Sequence, residues 1–447
     1  MDALLLREPG YYARQMAAAP PFPGQRRHPR SIMADLGLLL SISQKFDAVI
    51  RDPVWGDIHF DEALFALTRS PSFQVLDGVR QLGPVAHVYP GATHTRKAHS
   101  IGVYYLARRM AISLVERGQI SFATPEGLRS FLVSALFHDL GHYPFAHSLK
   151  ELPLAPHEAL AGDLVLREPL RSSILECGAD PEQVAAIIDR DRYLPDDRET
   201  LLYRRILSGV LDPDKIDYLT RDAYFCGVPY GIQDADFILR RIHVDDDRLT
   251  VDPRGEMSVE ALLFSKYQMY KSIYWHPSVR SATSMVKKSV LMALGKGLLA
   301  AESLYGLDDA GFRKLMTESA DYSCQPARDA FAGRIYSLAG EMAYDPANMI
   351  HADLNDLGKR LEAESALAMA ANLGETDIVI DIPEPIDFES KLLVRTSAGR
   401  EAFPLRSQLF GPESLKSLVH SLRRIRIFAH PRVDAASLQG LARELLA

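Results

Sequence analysis

Residues 134 to 147 read S-A-L-F-H-D-L-G-H-Y-P-F-A-H, and the apolar lead-in from Phe131 to Phe137 runs straight into the adjacent His138-Asp139 pair. The pattern predicts a helix over 127–142, with His142 one turn beyond His138 on the same face. Pro144 then ends or kinks the helix, and His147 follows within a few residues. Three imidazoles and a carboxylate at the end of a buried helix are costly unless something pairs with them. A metal ion with an acid-base group would meet that cost. A core histidine bonded to a carbonyl is the plainer explanation, and H-x-x-x-H alone arises often by chance. The stretch by itself does not separate the two.

Moving outward, residues 88–107 read V-Y-P-G-A-T-H-T-R-K-A-H-S-I-G-V-Y-Y-L-A. Pro90-Gly91 marks a turn, and Thr93 or Thr95 is placed to cap a helix that continues through Arg109. His94, Arg96 and His99 fall near its start, where free N–H groups and the helix dipole favour anions. Taken singly, His94 and His99 are better read as solvated or capping residues. Another helix is expected from His157-Glu158, after Pro156. On the helix within 211–231, Asp214, Asp217 and Arg221 share one stripe, with Lys215, Tyr218 and Asp222 beside it. Such a run is usually a solvated face, but Ile216, Leu219, Ala223 and Phe225 leave little room for a wholly exposed helix. Tyr267, Tyr270 and Tyr274 recur at helical spacing, a pattern more common in cores than in ligand platforms.

The rest of the chain reads as mainly α. A short hairpin is expected after Phe46, two short helices over 62–81, and helices over 181–190 and 201–210. A hairpin or plain connection is expected over 231–257, one long helical segment over 259–299, and more helices to about 371. Strand-like pieces at 378–380, 392–395 and 425–429 suggest a small α+β C-terminal region. The expected divisions are a partly flexible N-terminal extension (1–46), a catalytic region (47–304) and a C-terminal α+β region (305–447).

The chain has 447 residues, 47% hydrophobic and 24% charged, which fits a globular protein with ample core. A formal charge of −7 disfavours a general nucleic-acid binder, leaving room for a local basic pocket. Cys177, Cys226 and Cys324 are few and far apart, so neither a disulfide framework nor a Cys-rich zinc site is expected. No apolar run suggests a membrane span or a secretory signal, and a cytoplasmic protein is the default.

Together His99, His138, Asp139 and Asp214 make a two-His, two-Asp set on three helices. Mixed imidazole and carboxylate donors suit Mn, Fe, Mg, Zn or Ni and leave positions for water and a phosphate oxygen.

The segments Y-P-G-A-T-H-T-R-K-A-H-S-I-G-V, F-H-D-L-G-H-Y-P-F-A-H, H-E and L-D-P-D-K-I-D-Y-L-T-R-D resemble the HD-domain phosphohydrolase superfamily. Within it, they are similar to the branch that includes the deoxynucleoside triphosphate triphosphohydrolases. The resemblance covers roughly residues 47 to 300 and implies an HD-type helical core. It implies His99, His138, Asp139 and Asp214 as ligands of a divalent metal. His142 and His157 would handle protons, His147 would stand closest to the attack or the leaving oxygen, and Glu158 would orient His157. Arg96, Lys215 and Tyr218 would hold phosphates, and Lys266 stands where relatives place an arginine, without its bidentate fork. Gln81 and Asp222 would bind the sugar 3′-hydroxyl. Leu82 and Tyr274 would pack against the ribose edge and exclude a 2′-hydroxyl.

Two positions depart from the family pattern: Ala98 replaces an acidic residue before His99, and Lys150 replaces one after His147, with Glu151 displaced by one. The activity implied is hydrolysis of a dNTP to deoxynucleoside and inorganic triphosphate, by metal-activated water attacking the α-phosphorus. The alternatives are hydrolysis of another phosphoester (a nucleotide monophosphate or a single-stranded nucleic-acid end), or an idle nucleotide-binding regulator. The resemblance also implies a homo-oligomer with a regulatory nucleotide, and the C-terminal region as a contact surface.

Overall fold

A computed structural model describes residues 29–43, 48–193, 197–386, 388, 391–434 and 438–441. Residues 1–28, which carry most of the expected flexible extension, lie outside it. The first described element is helix α1 (Pro29–Ser43), followed by a hairpin of β1 (Ala48–Asp52) and β2 (Gly56–Phe60) and short helices α2 (Glu62–Leu67) and α3 (Pro71–Val75). The hairpin and the break at Ser70-Pro71 fall where the turn residues place them.

The fold is mainly α, as expected, and its centre is α4 (Arg96–Glu116). Thr95 caps it by accepting the Ala98 N–H. Nearly every side chain from His99 to Val115 is buried, so α4 shows no amphipathic stripe. It packs against α1, α5 (Pro125–Phe137), α10 (Pro213–Cys226) and α11 (Ala235–Arg241). Between them run α6 (His157–Val165), α7 (Leu170–Glu176), α8 (Pro181–Ile188) and α9 (Arg198–Leu207). Helix α10 has both its boundaries written in sequence. The Asp212 side chain accepts the Lys215 N–H, Pro213 opens the first turn, and Gly227 closes it at φ 68°.

Two helices differ from expectation. Helix α5 stops at Phe137 rather than His142. Beyond it the backbone closes shorter loops, Leu140 N–H to Phe137 O at 3.0 Å and His142 N–H to Asp139 O at 2.9 Å. The expected long segment over 259–299 is two helices, α12 (Glu256–Met269) and α13 (Pro277–Gly295). They are separated by a wide π turn at Tyr270–Tyr274 and by Pro277, which cannot continue a preceding helix. The connection over 231–257 holds α11 and then a hairpin, β3 (Ile242–Asp245) with β4 (Arg248–Val251).

The remaining chain forms α14 (Asp309–Glu318), α15 (Gln325–Phe331), β5 (Ser337–Ala343), α16 (Met349–Asp353), α17 (Leu357–Ala370) and β6 (Ile378–Asp381). It ends in β7 (Leu393–Thr396), β8 (Gly399–Ala402), α18 (Phe403–Arg406), α19 (Pro412–Leu422) and β9 (Arg424–Ala429). Strand β5 interrupts a region expected to be helical. Two small sheets result. In one, β9 lies between β5 and β6; in the other the order is β3-β4-β7-β8, with β4 and β7 parallel. Buried ion pairs lock the first sheet to α13. Arg280 makes two hydrogen bonds to Asp381 (2.9 and 2.6 Å), and Lys288, paired with Glu364 of α17 at 2.6 Å, also donates to the Ile378 carbonyl at 2.8 Å.

A candidate metal centre and its cleft

Helix α4 delivers His99, the end of α5 delivers His138 and Asp139, and the first turn of α10 delivers Asp214. These four, predicted as a set, converge. His99 Nε2 lies 3.0 Å from Asp214 Oδ1 and 3.9 Å from Asp139 Oδ2. His138 Nε2 lies 3.3 Å from Asp139 Oδ1 and 3.9 Å from Asp214 Oδ1. Helix α10 approaches α4 this closely because position 102 is glycine: a β-carbon there would stand 1.9 Å from Asp217 Oδ1.

Hydrogen bonds settle which nitrogens face the centre. His138 Nδ1 is 2.9 Å from the Ala135 carbonyl, to which only an N–H can donate, so Nε2 presents a lone pair. That Nε2 is buried without a hydrogen-bond partner among the described residues and confronts carboxylate oxygens. His99 Nδ1 is held by Asp217 Oδ2 at 2.8 Å, which turns its Nε2 to the same point. Burial opposes charge on His99, yet hydrogen bonds to Asp214 and Asp217 overcome it and raise its pKa to about 10. Burial likewise disfavours the Asp139 carboxylate, but His142, His138 and Arg96 hold it well below the usual range. The His138 lone pair and the converging carboxylates call for a cation between them, which would replace the proton His99 holds at that point. The donor set fits a borderline or hard divalent metal.

Asp217 had been read only as part of a charged stripe. It is fully buried and accepts from His99, Trp55 Nε1 (2.5 Å) and Arg221 (2.8 and 2.9 Å), while Arg221 also reaches Asp52 at 2.8 Å. A buried Asp-Arg pair at i, i+4 amid apolar neighbours was the available signal.

A second cluster adjoins the first. His142 Nε2 is 3.3 Å from His147 Nε2, and the His142 and His157 rings lie 3.7 Å apart. Helix α6 can bring His157 in because position 141 is glycine, where a β-carbon would meet the His157 carbonyl at 2.1 Å. Glu158 pairs with His157 Nδ1 at 3.1 Å. Burial, then the Arg96 charge, push His142 down to about 4. Burial also leads the lowering of His147 and His157, so all three imidazoles are neutral bases at pH 7. Glu151 does not approach them. It binds Lys287 (2.5 Å) and Arg360 (3.1 Å), which outweigh burial and hold its carboxyl below the usual range.

Both clusters open on one cleft of about 1090 Å³. Of the sixteen residues predicted for the site, fifteen line it; His142 alone lies behind the wall, against His147. Arg96 is turned onto Asp139 at 2.6 Å, and Lys215 onto its own helix cap Asp212 at 2.6 Å. Tyr270 and Tyr274, from the π turn, reach the cleft, so the aromatic stripe is only partly core. Arg80, Arg190, Arg192, Arg280 and Lys287 line it too and were not singled out from sequence, and Lys150, noted there only as a departure from the family pattern, joins them. The cations come from four separate segments, which leaves no local pattern to read.

Among the described residues, no helix is long and apolar enough to cross a membrane. Residues 96–222 match the family described as HD domain, and 233–446 the one described as HD associated region. An uncharacterized protein of Methanocaldococcus jannaschii is 31% identical over 278 residues, which cover 61% of this chain and 56% of the relative. The deoxynucleoside triphosphate triphosphohydrolase of Bos taurus is 31% identical over 220 residues, 42% of this chain and 37% of that one. The chain thus spans about half, or less, of the length of these curated relatives. A crystal structure of a hypothetical protein from Aquifex aeolicus superposes with TM-score 0.68 at 26% identity, covering 90% of this chain and 100% of that one. The chain belongs to the HD-domain superfamily of metal-dependent phosphohydrolases, in the branch that resembles the deoxynucleoside triphosphate triphosphohydrolases.

Proposed function

We propose that the protein hydrolyses dNTPs to deoxynucleoside and inorganic triphosphate. The observation that carries the reading is the wall beside the metal-type cluster: Tyr274 donates its hydroxyl to Asp222 at 2.6 Å, inside the same basic cleft. A ring pinned in this way limits the room at the sugar edge, which favours a deoxyribose. Gln81 Oε1, on the same cleft, is buried without a partner among the described residues and is suited to accept a sugar hydroxyl.

Held by His99, His138, Asp139 and Asp214, a divalent cation would supply Lewis-acid polarisation of a phosphoryl oxygen. Arg96, Lys215, Tyr218 and Lys266 bind the triphosphate, with Arg96 and Lys215 exchanging their present carboxylate partners for phosphate oxygens. Water attacks the α-phosphorus and the bond from phosphorus to the 5′-oxygen breaks. The neutral His142–His147–His157 cluster takes the proton from the water and returns one to the departing 5′-oxygen, while Glu158 orients His157. Leu82 and Tyr274 pack on the ribose, and Gln81 and Asp222 take the 3′-hydroxyl. The reading includes a homo-oligomer and a regulatory nucleotide, on the strength of the family resemblance alone, and a cytoplasmic location by default.

The test is a panel of dNTPs and rNTPs against the metal-loaded wild type and Tyr274→Ala. Turnover of dNTPs over rNTPs that is relaxed in the variant supports the proposal. Equal turnover of both sugar types by the wild type overturns it.

A further inference from the structure

His94 lies in the turn that leads into α4. In sequence it reads as an ordinary capping or solvated residue. In the structure its side chain is wholly buried, and both its imidazole and its carbonyl are engaged. The imidazole Nε2 lies 2.8 Å from Asp222 Oδ1, and the ring stacks on Phe225 with centroids 4.6 Å apart at 25°. The other oxygen of Asp222 is the one that accepts the Tyr274 hydroxyl. On the main chain, the His94 carbonyl accepts the Gln81 N–H at 3.0 Å. One residue therefore ties together Gln81, from the segment before α4, and the Asp222–Tyr274 pair, from α10 and the π turn.

A buried carboxylate is stable only when its oxygens are supplied with donors. Asp222 is buried, and its two named side-chain partners are His94 and Tyr274. Donation from Nε2–H to Asp222 leaves Nδ1 as an acceptor, and Nδ1 is buried without a partner among the described residues. Stacking on Phe225 fixes the ring plane, so the donor is aimed and not merely present.

We infer that His94 is the positioning residue of the sugar-side wall. By holding Asp222 it fixes the Tyr274 ring as a steric stop, and its carbonyl sets Gln81 in register with that stop. It touches no reacting atom. The inference rests on the proposed reading that this wall receives a deoxyribose.

Two substitutions separate positioning from bulk structure. His94→Leu keeps volume and removes the donor; His94→Gln keeps an N–H donor at nearly the same reach. For the metal-loaded enzyme, His94→Leu is expected to raise KM for a dNTP about 10-fold and cut dNTP-over-rNTP selectivity by about as much, with kcat within about 3-fold. His94→Gln is expected to stay within about 3-fold of wild type in all three quantities. Wild-type KM and selectivity in His94→Leu, or an equal loss in His94→Gln, would overturn the role. Should His94→Leu not fold, Tyr274→Phe cuts the same link from its other end, and wild-type selectivity there also overturns it.

Crystal structures of wild type and His94→Leu without nucleotide give a readout independent of substrate. The Tyr274 hydroxyl is expected to leave Asp222 in the variant, whereas an unmoved pair contradicts the inference. If the wild type turns over no dNTP, the substrate reading fails, and these positions still decide what His94 does.

Discussion

His99 Nδ1 and Asp217 Oδ2 lie 2.8 Å apart, both side chains buried, and this contact aims the other nitrogen of His99 at Asp139 and Asp214. Asp217 also carries the buried Arg221. Asp217→Asn keeps the shape but frees the His99 tautomer and leaves Arg221 with less counter-charge. Metal affinity should fall by about 10- to 100-fold. Unfolding free energy should fall by about 3 kcal/mol, as when one partner of a buried pair is removed. Metal titration and denaturant unfolding of the variant measure the two effects, and unchanged affinity would contradict the orienting role.

The histidine cluster depends on how closely α6 approaches the His138–His142 turn. Gly141→Ala places a methyl group against the His157 backbone, where no flexible side chain can give way. We expect a loss of about 2 kcal/mol or more in stability from overpacking, together with a fall in kcat. A folded Gly141→Ala protein of wild-type stability and activity would show that α6 has room to spare.

Glu151 should behave as a structural residue. It bridges Lys287 and Arg360, and Arg360 lies on α17 in the C-terminal part of the chain. Glu151→Gln leaves two poorly compensated cations, so stability should drop by about 2–4 kcal/mol while kcat at low temperature stays near wild type. Selective loss of kcat with stability intact would instead place Glu151 in support of the proton-handling histidines.

Acid should destabilise the fold before most carboxylates titrate. Burial and the Arg117 charge push His243 down to about 4, and burial with Arg96 does the same to His142. The unfolded chain binds these protons at higher pH than the folded one. The stability they contribute is therefore full above the ordinary histidine range and declines as pH falls towards 4. For His243 this amounts to about 1 kcal/mol between pH 7 and pH 5, discounted for its partial exposure to solvent. Unfolding of wild type and His243→Asn at both pH values checks it: the variant should lose less on acidification, and equal losses would contradict the assignment.

The clearest sequence signals were those with local causes. Thr95, Asp212-Pro213 and Gly227 mark helix ends by capping chemistry that acts within a turn, and each boundary falls there. The four metal-type residues were legible because their chemistry is unusual for helices that are otherwise apolar. Asp217 and Arg221 were not, since the Trp55 and Asp52 that bury them lie more than 160 residues away. The same holds for β4 and β7, which pair Thr250 with Leu393 across all the helices from α12 to α17. The end of α5 at Phe137 and the π turn at Tyr270–Tyr274 are tertiary choices. Each repositions functional side chains at the expense of regular helix, and periodicity alone predicts the uninterrupted version.

The most direct test of the proposed function is phosphorus NMR of a dNTP hydrolysed in ¹⁸O-labelled water, run with the wild type and with a His138→Ala, Asp139→Ala double variant. The account predicts deoxynucleoside and intact inorganic triphosphate, with the label on the phosphorus that had been α, and no reaction in the variant. Stepwise release of phosphate, label in the 5′-hydroxyl, or turnover surviving in the double variant would contradict it.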